Sequence, residues 1–169
     1  MDYRLIRSNR RTIAIEITDT AEVLVRAPIF ASVKQIEKFV QSKQNWIEKA
    51  VNKQKIRYND KKAIFETDID VLYEKGRQIL EEKFLYWAKR IGVKPTGVKI
   101  TKAKKRFGSC NGKNSICFSV YLFAYPIEAV EYVIVHELCH IKEHNHSARF
   151  WALVQKHLPD YKQREKLLK

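Results

Sequence analysis

Glycine, proline and cysteine are all scarce in this chain: five, four and three among 169 residues. So little glycine and proline excludes a collagen-like or low-complexity chain, and no internal repeat is visible. The cysteines, Cys110, Cys117 and Cys139, are odd in number and irregular in spacing. That excludes a disulfide scaffold and suits free thiols in a reducing compartment. No stretch comes near the roughly 18 consecutive apolar residues of a membrane helix. The start, MDYRLIRSNRR, lacks the apolar segment of a signal peptide. The expectation is a cytoplasmic protein with no membrane partner.

Acidic residues are outnumbered, 19 against 33 basic ones, for a net charge of +14. Such a potential attracts phosphate-rich partners without identifying one. At this length, a hydrophobic content of 45% is enough to bury a core, which predicts one compact domain.

Alternating apolar and polar residues in RLIR, TIAIEIT and EVLVRA predict three short strands ending at Pro28, in a small antiparallel sheet. Ser32 and Gln35 have the spacing of a capping box, and Ile36, Phe39, Val40, Ile47, Ala50 and Val51 recur at helical intervals. A helix over 33–51 follows. The polar, basic stretch 52–66 reads as an exposed connection. Leu72, Ile79, Leu80, Phe84, Trp87 and Ile91 mark a second long helix, stopped by Gly92 and Pro95. VKITKAK and SICFSV read as strands of a second hairpin, with a turn at Asn111 and Gly112. A third helix is predicted over 127–144. A fourth starts from the N-cap Ser147, carries Phe150, Trp151, Val154 and Leu158 on one face, and stops at Pro159. The fold class is α+β, a small antiparallel sheet and hairpins packed with about four helices.

All five histidines follow residue 135, and two of them sit in HELCH, residues 136–140. Four residues apart on a helix, His136 and His140 share one face and can reach one Zn²⁺, while Glu137 points to the neighbouring side and can hold a water. The surrounding helix, EAVEYVIVHELCHI, is apolar on most sides and therefore buried, where unpaired imidazoles and a carboxylate are costly. Metal binding removes that cost.

One zinc per chain requires a third protein ligand. On a continuous helix His144 would lie about 12 Å along the axis from His136, so the helix has to break. His146 stands six residues after His140, the interval at which HExxHxxGxxH proteins fold a third histidine back. Glu143 occupies the position of that glycine here, and Asn145, which tolerates a left-handed conformation, is the residue expected to end the helix instead. His146 is the favoured ligand and His144 the alternative.

The motifs GSC at 108–110, HELCH at 136–140, NHSARFW at 145–151 and PDY at 159–161, with a hydrophobic strand and a proline-led helix between the first two, resemble the signature of the YgjP-like family of metal-dependent hydrolases. Those proteins are similar to SprT-type and WLM-domain metallopeptidases. RSNRRTIAIEI, VLVRAP and FVQSKQNWI extend the resemblance over nearly the whole chain. It implies a single domain over 1–169, with N-terminal strands, helix and basic connection in 1–66 and a zincin-like catalytic core in 67–169. It also implies zinc ligands His136, His140 and His146, with Glu137 as the catalytic carboxylate. Phe107 stands where the family usually has tryptophan, a departure expected to alter packing more than chemistry.

The expected activity is a zinc-dependent metallopeptidase. Zinc would lower the pKa of a water toward about 7, and Glu137 would take its proton and pass it to the leaving amine. SICFSV is either an edge offered to an extended peptide substrate or a strand paired on both sides. Tyr161 is a candidate second oxyanion donor, against the plainer reading of a packed tyrosine.

The alternative activity is a metal-dependent nucleotide phosphohydrolase or pyrophosphatase. Arg7, Arg10, Arg11, Lys104, Lys105 and Arg106 would then contact phosphate or nucleic acid, provided both hairpins face the cleft. A lower alternative is a basic nucleic-acid-binding module with a structural zinc, in which Cys110 is the candidate fourth ligand. Between these lies a peptidase acting on nucleic-acid-associated proteins.

Overall fold

The structure is a computed structural model that describes residues 2–168. The fold is α+β, with two three-stranded sheets, and the chain divides after Ala63 into two compact units.

In the first unit, β1 (Arg4–Ser8), β2 (Ala14–Ile17) and β3 (Val23–Pro28) form a sheet of order β1-β3-β2. The three expected strands are present, but the sheet is not purely antiparallel: β1 runs parallel to β3 and β2 antiparallel to it. Alternation reports which face a side chain takes and carries no information on strand direction. The central strand β3 buries Val23, Val25 and Ala27 against Ile36, Val40 and Ile47.

Helix α1 (Val33–Ser42) starts at the expected capping box. The Gln35 N–H donates to Ser32 Oγ at 3.2 Å, and the Ser32 N–H donates to Gln35 Oε1 at 2.9 Å. The predicted continuous helix is interrupted at Lys43, where Ser42 Oγ bonds back to the Phe39 carbonyl at 2.7 Å and Lys43 leaves helical geometry. Helix α2 (Gln44–Glu66) then runs through the stretch expected to be a connection. That stretch is exposed, as expected, but its Lys, Gln, Arg and Ala residues are good helix formers, and polarity all round does not prevent a helix.

In the second unit, Asp68 caps α3 (Ile69–Ile79), which passes through a π-helical turn at Leu80–Phe84 into α4 (Leu85–Ile91). Gly92 ends this rod in the left-handed conformation, φ 73°, that glycine adopts without steric cost. The sheet that follows consists of β4 (Gly97–Thr101), β5 (Gly108–Cys110) and β6 (Ser115–Ser119), in the order β4-β6-β5.

The expected hairpin of VKITKAK with SICFSV is corrected here. β4 and β6 are parallel neighbours, and the short β5 pairs antiparallel with β6 across the Asn111–Asn114 turn. Asn111 Oδ1 accepts the N–H groups of Lys113 and Ser115 there, and the positive φ falls on Asn114. SICFSV is thus paired on both sides and offers no free edge. β5 is an edge strand of three residues, too short to show a period.

Helix α5 (Ile127–Cys139) is buried on nearly every side, and ends well before the predicted residue 144. It packs with Phe118, Leu122, Phe123 and Phe150, each fully buried. Burial of such side chains contributes roughly 1.5–3 kcal/mol apiece. Helix α6 (Ala148–His157) begins at its expected cap, Ser147, and a further short helix, α7 (Tyr161–Lys166), follows Pro159. Among the described residues no helix is long and apolar enough to cross a membrane.

Candidate metal centre

The last turn of α5 carries His136, His140 follows as its C-cap one turn on, and the chain beyond returns His146 to the same point. His136 Nε2 lies 3.2 Å from His140 Nε2 and 3.0 Å from His146 Nε2. One ring nitrogen from each histidine lies within 4.8 Å of the others. Three nitrogens around a tetrahedral Zn²⁺, each about 2.0–2.1 Å from it, would be separated by about 3.3 Å. The donor set and its spacing fit such an ion.

Burial favours the neutral form of His136 and His140. Burial first, then the neighbouring imidazoles, holds His136 down to about 3. His140 is also lowered, chiefly by burial. Its Nδ1 faces the Glu143 carbonyl at 3.0 Å, which requires the proton on Nδ1 and leaves the Nε2 lone pair free for a metal. His136 Nδ1 is buried without a hydrogen-bond partner.

The helix breaks without a left-handed residue. Among the described residues only Ala21 and Asn114 combine a side chain with positive φ, so Asn145 does not end the helix as expected. The turn is closed by Ile141 and Lys142 N–H groups bonding back to Leu138 and Cys139. Lys142 Nζ anchors it by donating to the Ile91 carbonyl at 2.6 Å. Asn145 Oδ1 accepts the Ser147 N–H, and Ser147 in turn caps α6. His144 is exposed and lies outside the group of convergent ligand atoms.

Aromatic rings from α6 surround the histidines. Phe150 stacks on His140, centroids 4.4 Å apart, and Trp151 stacks on His146 at 5.7 Å. Tyr161, at the start of α7, is buried and stacks on Trp151 at 5.5 Å, so the structure places it as an outer ring of this column. Tyr132, one turn before His136, is a neighbour that sequence reasoning missed. Its ring centroid is 5.8 Å from that of His136, and burial, aided by Glu165, Tyr161 and Glu137, pushes its pKa up to about 12. It stays protonated.

Glu137 is 6% exposed, and its Oε2 is buried without a partner. Burial pushes its pKa up to about 7, against the opposing pull of the Cys110 backbone N–H and the Arg106 charge. Strand β5 supplies this contact because residue 108 is glycine. A Cβ there would stand 2.7 Å from both Cγ and Oε1 of Glu137. The GSC motif marked the place in the sequence, but nothing local showed that its glycine makes room for a carboxylate.

The basic residues expected to clamp phosphate fall into two sets in different units. Arg7 Nη1 donates to the carbonyls of Pro28, Ile29 and Ala31, at 3.2, 3.0 and 2.6 Å, and so ties the end of β3 to α1. Arg10 has its Nε buried without a partner, and Arg11 is exposed. Lys104, Lys105 and Arg106 are exposed on the loop before β5. Phe107, next in line, packs edge-on against Tyr125 at 5.1 Å. Cys110 is half-buried and raised in pKa by burial and Glu137, whereas Cys139 is buried and pushed up to about 12. Neither belongs to the convergent group.

Comparison with known proteins gives one finding. The sequence model of the YgjP-like family, described as a metallopeptidase domain, matches residues 11–74 and 55–169. No curated protein and no solved structure matches the chain.

Proposed function

Because the chain belongs to the YgjP-like family of metallopeptidase domains, we propose that it is a zinc-dependent peptidase in which His136, His140 and His146 hold the ion and Glu137 is the general base. The observation that carries this reading is the convergence of three imidazole nitrogens, the first of them next in sequence to a buried carboxylate whose Oε2 has no partner. Among the described residues the group contains three ligands and no fourth. An open position of that kind favours catalysis over a structural site, which closes with four protein ligands.

An ion in such a set supplies Lewis-acid polarisation of a carbonyl and activation of water. The protein's part is to position and to move protons. The Cys110 N–H fixes the Glu137 carboxylate, leaving Oε2 to receive the proton from an attacking water and to return it to the leaving amine. A carboxyl near 7 is well matched to both duties at neutral pH. Glu143, through its carbonyl, and Phe150 hold the His140 ring in its plane.

The test pairs elemental analysis with turnover. Zinc-loaded protein is assayed on peptide libraries and on nucleoside triphosphates, with Glu137→Gln as control. Peptide cleavage lost in the variant is the expected result. Release of phosphate or pyrophosphate from nucleotides, lost in the variant and unaccompanied by peptide cleavage, would replace this reading with a phosphohydrolase.

A further inference from the structure

The loop from Lys102 to Phe107, between β4 and β5, carries Lys102, Lys104, Lys105 and Arg106 within five residues, all exposed. Among the described residues none of the four is in an ion pair; Lys104 rests over the Phe65 ring at 5.4 Å. Unpaired charges on a floppy loop would mean little, but this loop is anchored. Ser119, only 2% exposed, donates from Oγ to the Ala103 carbonyl at 2.6 Å and from its backbone N–H to the Phe107 carbonyl at 2.7 Å. Both feet of the arch stand on one buried residue of β6. The anchoring uses backbone atoms of the arch, so its side chains are free to engage a ligand.

The arch leads directly into the strand that lies against Glu137. The residue after its second foot is Gly108, which lies against Glu137. Arg106 is two residues from Gly108, at most about 7 Å along the chain. Its charge is felt by Glu137, whose pKa it draws down.

We propose that this arch is the specificity element of the site and selects peptide substrates with Asp or Glu side chains beside the scissile bond, bound by Lys105 and Arg106. The inference rests on the peptidase reading above. The form of the arch favours side-chain carboxylates over a phosphate group. Its cations are strung along as much as about 14 Å of chain, a spacing suited to successive side chains of an extended peptide. A phosphate cradle would instead converge backbone N–H groups from a helix N-terminus or a glycine-rich nest. Here the backbone groups fixed within the arch are the Ala103 and Phe107 carbonyls.

The experiment separates binding from cleavage. Zinc-loaded Glu137→Gln protein is titrated with fluorescent peptides that differ only in Glu against Gln at two adjacent central positions, and with a nucleoside triphosphate. The Glu peptides should bind about three- to tenfold more tightly at low ionic strength, the range for two partly screened ion pairs. The advantage should shrink as salt is raised. K105E/R106E in the same background should abolish or invert the preference while keeping zinc content and melting temperature. Lys156→Glu, a charge change on α6, should leave the preference intact.

Equal binding of Glu and Gln peptides, or a preference that survives K105E/R106E, would overturn the proposal. So would nucleotide binding that depends on Lys105 and Arg106 without discrimination among peptides. Failure of the wild-type enzyme to cleave any peptide would count against the peptidase reading, and the titration does not depend on that outcome.

Discussion

The indole of Trp151 lies against the imidazole of His146, their centroids 5.7 Å apart and their planes 25° from parallel. His146 is the exposed member of the histidine group and comes from the turn rather than from a helix, so its orientation depends on ring contacts, with Trp151, Phe150 and His136. Tyr161 backs the indole at 5.5 Å. Removing an outer-shell partner of a metal ligand typically costs about 10- to 100-fold in affinity. Trp151→Ala should weaken zinc binding by that order in competition with a chromophoric chelator. Trp151→Phe, which restores a ring, should recover part of the loss. Affinity unchanged in the alanine variant would mean that the turn alone orients His146.

The helix bearing HELCH was legible because polar groups capable of holding a metal interrupt an otherwise apolar segment, and both signals survive in a single sequence. His146 was legible from its interval to His140, yet the turn that delivers it was not. The turn closes through Lys142 and the Asn145–Ser147 bond, and Lys142 reaches the carbonyl of Ile91, 51 residues earlier in the chain. The direction of β1 and the place of SICFSV between β4 and β5 were illegible for a related reason. Strand order is set by pairings between distant segments, while alternation records only faces. The role of Gly108 depends on a side chain of another element, so only the assembled site shows it.

Gly108→Ala should separate metal binding from catalysis. The added Cβ would meet Glu137 Cγ and Oε1 at 2.7 Å, so the carboxylate has to move, whereas the histidines lie on other elements. Overpacking of this kind costs about 1–3 kcal/mol of stability. A displacement of the base near 1 Å can cost on the order of 10²-fold in rate. Zinc content should match wild type while turnover falls by that order. Full turnover would show that the strand yields instead of the carboxylate.

The two histidines after the helix make opposite predictions. His146→Ala removes one of three convergent nitrogens and should leave zinc stoichiometry well below one per chain after dialysis. His144→Ala touches an exposed ring outside the group and should retain the full equivalent. Plasma emission spectrometry on the two variants decides the assignment. The reverse pattern would move the third ligand to His144.

Glu137 should weaken the metal-free fold as pH rises, and the sign follows from its burial. In the folded apoprotein its pKa is raised from 4.5 to about 7. Between those values the folded state therefore holds a proton that the unfolded state has released, and stability falls as pH rises through this window. Below pH 4.5 the group is neutral in both states and imposes no such cost. Above about pH 7 the cost is complete, about 3 kcal/mol from a shift of this size at 1.36 kcal/mol per unit. His136, lowered to about 3, works in the opposite direction between pH 3 and 6.5, so the wild-type curve alone mixes the two. The difference between Glu137→Gln and wild type isolates the carboxylate, because the amide does not titrate and fills nearly the same space. Urea unfolding of both apoproteins from pH 4 to pH 8 should show the variant gaining on wild type across the window and levelling off near pH 7. A difference independent of pH would mean that the carboxylate is solvated in the apoprotein, and the argument for a base tuned by burial would fall with it.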